Sequence, residues 1–327
     1  MRADVAEFHD DAVFRPVVAV TLAITATAAV WSTPDWRSRV AVFAVIATIG
    51  IPHGALDHLA SEALDGPGAP RRRARFVATY LAAMAAVALV WLAAAPVALM
   101  AFLVISIHHF GQSDLAYLRL GGRRQLVVQW SRGLFLVGLL LVAHIDEVAP
   151  TLGRLGGGDP AGWRWLVDAH WWWCALLVVQ HLAVGAAVAR RVGDRTVIAR
   201  EAITIVVLTL LFVTVDPLLA FAVYFGLWHS LAHLLVLTDL LGTGRHPVRS
   251  VARLAAPLTA ISLAGLAFAG GSAVVVGRTE LLLPIAIVFV SMLTVPHMVV
   301  VERMWRRPPA RGNPRRPRTR ISGTLET

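Results

Sequence analysis

The chain has 327 residues, 57% of them hydrophobic and 15% charged, and its formal net charge of +10 rests on 30 arginines with no lysine. Soluble domains carry about 25% charged residues, so an ordinary soluble enzyme is excluded. A single cysteine, Cys174, excludes an intrachain disulfide and a thiolate metal cluster.

Several apolar runs approach the roughly 20 residues that a bilayer-crossing helix needs. They predict an all-α, polytopic integral membrane helix bundle of ten transmembrane helices. The spans fall at about 14–31, 39–60, 76–95, 97–118, 126–144, 170–189, 197–215, 217–241, 251–276 and 280–303. The first run follows Asp4, Glu7, Asp10 and Asp11 rather than a basic segment, so it reads as a retained helix and not a signal peptide. Pro96 and Asp216-Pro217 predict tight turns between neighbouring spans, because proline breaks a helix and disfavours helix in the residue before it. The segment 145–169 reads as the longest outer loop and leads into Trp163, Trp165, Trp171, Trp172 and Trp173, an interfacial aromatic belt.

Arginine placement orients the bundle. Twenty-four arginines lie at the N-terminus, in loops after even-numbered spans or in the tail, against five in loops after odd spans, with Arg132 inside a helix. The positive-inside rule then makes both termini cytoplasmic and the chain a multi-pass protein of the inner (plasma) membrane. Residues 1–13 form a cytoplasmic N-terminus, 14–303 the transmembrane catalytic domain, and 304–327 a disordered cytoplasmic tail rich in Arg and Pro. Beside a last membrane helix, such a tail implies contact with anionic lipid and no nucleic-acid partner.

Histidines mark the functional layer. His53 lies on the second span, His109 on the fourth, His229 and His233 on the eighth, and His297 on the tenth. All four helices run inward, and these residues sit about 9–18 Å from the cytoplasmic ends at 1.5 Å per residue. His229 and His233 are spaced i, i+4, which places both rings on one face of an α-helix. Ionisable side chains inside a membrane need partners and mark function, and one shared metal ion satisfies several imidazoles at once. Imidazole suits Fe, Cu, Zn and Ni. Asp57, four residues after His53, is placed to accept that ring's second N–H, as carboxylates behind metal ligands do. Asp114 follows His109 nearer the rim, where it reads equally as a solvated helix-end charge. His181 reads as a packing residue, and His9, His58, His108, His144, His170 and His246 fall outside the set.

Four ordered segments carry a family resemblance: Pro52-His53-Gly54-Ala55-Leu56-Asp57, His109-Phe110-Gly111, Trp228-His229-Ser230 with His233, and Pro296-His297-Met298. Over about residues 40–305 the chain resembles the Brp/Blh-type β-carotene 15,15′-dioxygenases. The resemblance implies Fe(II) held by His53, His109, His229 and His233 as the catalytic centre and places His297 in a fourth family segment. His297, together with Asp57 and Asp114 chosen from their positions, is a candidate supporting residue. It implies β-carotene and O2 as substrates, two retinal molecules as products, and a functional link to a retinal-binding rhodopsin. Ala232 departs from the family, whose members often carry Arg there. Iron with open positions suits O2 chemistry, whereas zinc in a four-ligand protein site tends to be closed and structural. Phe110, Tyr224, Phe225 and Trp228 read either as walls of a polyene tunnel or as ordinary packing.

Rival readings come from other classes. A di-iron hydroxylase or desaturase calls for about twice as many histidines in cytoplasmic boxes. A bis-His haem carrier or a carotenoid-binding protein would use the same helices without chemistry. The HExxH pattern of a zinc protease is absent.

Overall fold

A computed structural model describes residues 11–30, 50–52, 54–66, 70–118, 120–156, 164–241 and 247–306, together with Thr48 and Gly158. Among the described residues every regular element is a helix. In chain order these are α1 Asp11–Val30, α2 Asp57–Asp65, α3 Pro70–Ala93, α4 Ala95–Leu115, α5 Gly122–Gly133, α6 Leu139–Val142, α7 Ile145–Gly156 and α8 Arg164–Asp168. They continue as α9 His170–Val192, α10 Arg195–Thr214, α11 Pro217–Val223, α12 Leu231–Leu241, α13 Pro247–Val275 and α14 Leu282–Arg306. Two π-helical turns join helices without a break: Leu134–Gly138 between α5 and α6, and Tyr224–Ser230 between α11 and α12.

Eight described helical segments are long and apolar enough to cross a membrane, and α1 adds a shorter apolar helix. The chain is therefore an all-α, multi-pass membrane bundle. Half of the predicted second span lies outside the described residues; its end is interrupted by a turn at Ala55-Leu56 before α2 begins. The predicted outer loop 145–169 needs correction, since it contains α7 and α8. On α7, Ile145, Ala149, Leu152 and Leu155 fall at helical spacing and bury against Trp91, Ala98 and Leu99. Asp146 and Glu147 suit its first turn. Trp165, Trp171 and Trp172 remain exposed, as a lipid-interface belt requires.

The predicted tight junctions are present. Pro96 occupies the first turn of α4. Asp216 caps α11 by accepting from the backbone N–H groups of Leu218 and Leu219 at 3.0 and 3.2 Å. Close approach of α4 to α5 depends on two glycines. A Cβ on Gly133 would overlap the carbonyl of Ile107, and one on Gly111 the carbonyl of Gln129. Small residues that let backbones touch are the usual device for packing helices in lipid.

The α1 helix packs against α10 and the Tyr224–Ser230 turn through Phe14 and Val17. Thr21 donates to the carbonyl of Val17 at 2.7 Å and accepts from the Trp228 indole at 3.0 Å, so the first helix is tied to the residue beside His229.

Candidate metal centre

Four helical segments bring four imidazoles together. His109 comes from α4, His229 from the π-helical turn, His233 from α12 and His297 from α14; all are at most 5% exposed. Ring centroids are 4.8 Å apart for His109 and His229, 5.2 Å for His109 and His297, and 5.4 Å for His233 and His297. His53 lies outside the described residues.

His229 and His233 share a face as predicted, with parallel rings 6.5 Å apart. The backbone differs from the prediction: His229 sits in a π-helical turn rather than a continuous α-helix. Such turns are rare and recur at functional sites. Here the turn extends a ladder of nearly parallel rings at i, i+4 spacing, Phe221 to Phe225 at 5.2 Å and Phe225 to His229 at 5.5 Å.

Asp57 meets an imidazole that the sequence did not pair with it, while its expected partner, His53, lies outside the described residues. Both of its carboxylate oxygens lie against Nδ1 of His297, at 2.9 and 3.0 Å, and it also accepts from the Tyr80 hydroxyl at 3.0 Å. The carboxylate is nearly fully buried. The physical reason is the turn at Ala55-Leu56, which starts a new helix at Asp57 and directs its side chain toward α14 and α3. Tyr80 was invisible to sequence reasoning, since nothing set its hydroxyl apart from that of Thr79 on the same helix.

Asp114 is neither solvated nor part of the histidine group. It accepts from Arg132 Nε at 3.2 Å and from the Tyr224 hydroxyl at 3.1 Å. Arg132 also lies 3.5 Å from Glu201, which accepts from Tyr117. His181 joins this network through Ser131 and Arg132 and stacks on Phe135, so it is bonded rather than merely packed. His144 and His170 contact the carbonyls of Phe212 and Val167, consistent with structural roles.

A cavity of about 870 Å³ reaches the histidines, near the upper end of the usual 300–1,000 Å³ for ligand pockets. His109, His297, Asp57 and Tyr80 line it, as do Phe110 and Phe225. Tyr224 and Trp228 do not line it; their polar atoms bond Asp114 and Thr21 instead. The walls descend along α4 from Leu99 to His109 and along α14 from Leu283 to His297. They extend beyond these residues to Ser61, Glu62 and Arg73 on α2 and α3. The chamber is mainly hydrocarbon, with its polar groups gathered at the histidines and the mouths.

This combination, buried imidazoles opening onto an apolar cavity, parallels the comparison with known proteins. The profile of the family described as Beta-carotene 15,15'-dioxygenase matches residues 44–305. The chain belongs to the beta-carotene 15,15'-dioxygenase family. It is also 32% identical over 291 residues to the probable beta-carotene 15,15'-dioxygenase Blh of Halobacterium salinarum, covering 79% of this chain and 81% of that relative. No solved structure matches. As a β-carotene 15,15′-dioxygenase, the enzyme places all its candidate ligands inside the matched region, whereas α1 precedes it.

Iron fits the donor set with one qualification from the structure. Among the described residues, no three His, Cys, Asp or Glu side chains form a ready-made metal set, and His53 lies outside them. The spacings of the four described imidazole rings are nonetheless compatible with one shared ion. Imidazoles bonded to one ion at roughly 2.1 Å hold their ring centres about 4.5–6.5 Å apart. The observed spacings fall within that range.

Proposed function

We propose that this β-carotene 15,15′-dioxygenase is iron-dependent, with Fe(II) held by His53, His109, His229 and His233. The observation that carries this reading is the gathering of His109, His229 and His233 with His297 beside an apolar cavity that His109 and His297 line. The overall reaction adds both atoms of O2 across the broken C15=C15′ bond, giving two C=O groups and two retinal molecules. Bound iron would supply the redox chemistry that lets ground-state O2 react with an alkene.

The protein's own task is positioning. A central double bond must lie at the histidines with half of the polyene on each side. Room exists on one side along α4 and α14, and on the other toward α2 and the start of α3. Phe225 and Phe110 present ring faces and edges to an extended conjugated chain. The walls are mostly apolar, so the polyene lies largely against hydrocarbon. Val77 and Ile261 line the cavity and are also exposed on the lipid-facing surface, so a carotenoid dissolved in the bilayer enters sideways between α3 and α13.

O2 is the co-substrate, and the cell's inner (plasma) membrane and its lipid are the setting. Retinal is the chromophore a rhodopsin requires, which supplies the functional link. In a β-carotene-accumulating bacterial host, expression should bleach the orange colour and yield retinal, and purified protein should contain one iron per chain. Abundant iron-loaded protein with undiminished β-carotene would sink the reading. Two irons per chain would favour the di-iron class.

A further inference from the structure

Resting on the reading that iron sits among these histidines, we propose that His297 is a further ligand to the metal. It would be a fifth imidazole, held in orientation by Asp57. Three observations converge on it. First, its ring lies edge-on to His109 and His233 at 5.2 and 5.4 Å, closer to each than His229 and His233 are to one another. Second, it lines the cavity beside His109. Third, the Asp57 carboxylate receives its Nδ1 through both oxygens.

An ionised carboxylate only accepts, so Nδ1 carries the proton, and in the neutral ring Nε2 then carries the lone pair that a metal needs. Metal-bound histidines are commonly arranged in this way, with the second nitrogen donating to a carboxylate that fixes the tautomer and raises the ring's basicity. Charge balance points the same way. Asp57 is buried in an apolar setting, where a lone negative charge is costly. Among the described residues its carboxylate is touched by an imidazole and a tyrosine hydroxyl, and a divalent cation on the far side of that imidazole would add positive charge to the group. Tyr80 then holds the carboxylate from α3.

The rival role for His297 is a structural link between α2 and α14, and metal affinity separates the two. Metal-stripped protein is titrated with Co(II) against a chelator while its visible absorption is recorded. His297→Ala should weaken Co(II) binding at least about 100-fold and change the absorption. Asp57→Asn, nearly isosteric, should weaken it about 10–100-fold with the band pattern kept. Added imidazole should restore both affinity and spectrum to His297→Gly, which a structural link would not allow.

Wild-type Co(II) affinity and spectrum in His297→Ala would overturn the proposal. If that variant fails to fold, unchanged Co(II) affinity in Asp57→Asn overturns it instead. His229→Ala distinguishes the two levels of the argument. Loss of Co(II) there but not in His297→Ala removes only the fifth ligand; retention in both removes the iron reading itself.

Discussion

Two buried polar clusters share the turn Tyr224–Ser230 and are built on opposite principles. At its beginning, Tyr224 joins Asp114, Arg132 and Glu201, where unlike charges meet and hydroxyls donate to carboxylates. Near its end, His229 joins like groups: imidazoles whose rings lie edge-on to it at His109 and parallel to it at His233. The first cluster lines no part of the cavity, while His109 and His297 of the second do. Burial of polar groups in a membrane bundle therefore does not by itself mark the reactive site. The mark is like donors collected beside a space that a substrate can enter.

The largest contrast comes from breaking each cluster in turn. His229→Ala should abolish retinal formation, measured by product extraction, while the protein still inserts and purifies. Arg132→Met should do the reverse. It leaves Asp114 and Glu201 buried without their cation, a loss that costs about 3–5 kcal/mol when one partner of a buried pair is removed. Thermal unfolding in detergent should drop sharply, while iron per folded molecule stays near wild type. An active His229→Ala enzyme, or an Arg132→Met protein as stable as wild type, would erase the distinction.

A smaller effect should appear where the two clusters share a support. Gly133→Ala forces a methyl group into the Ile107 carbonyl and so pushes α5 away from α4. Overpacking of this kind typically costs about 1–3 kcal/mol. Because α4 carries both His109 and Asp114, activity and thermal stability should fall together. A variant that loses only one of them would show that the clusters are mechanically independent.

Much of this arrangement was legible in the sequence. Hydropathy located α9 and α10 to within a few residues, since lipid demands continuous apolar helix. Four inward-running helices placed His53, His109, His229, His233 and His297 at one depth; the last four do meet, and His53 lies outside the described residues. The π-helical turn left no trace, because moving a backbone hydrogen bond by one residue changes no side chain. The α7 helix was hidden by Pro150 and by the glycines after it, which read as loop. Arg132 did carry a signal: an arginine inside a span requires buried carboxylates, and Asp114 and Glu201 were available at helix ends. Tyr80 and Thr21 carried none, because an apolar helix says nothing of which neighbour any one of its hydroxyls will meet.

The smallest expected effect tests how far the histidine cluster extends beyond its rings. Tyr80→Phe removes one hydroxyl from Asp57 and leaves the ring in place. A single hydrogen bond to a charged group contributes about 1.5–3 kcal/mol. Here much of that is retained, since Asp57 keeps both contacts to His297. If Asp57 matters through the orientation it gives His297, iron affinity should fall by less than the about 10–100-fold expected for losing such a carboxylate. The variant should keep its thermal stability and convert β-carotene more slowly in proportion to lost iron, and excess Fe(II) should restore the rate. A slow enzyme that stays slow when fully loaded with iron would place Tyr80 against the substrate instead. The boundary of the reactive cluster would then move outward from the rings to the cavity wall.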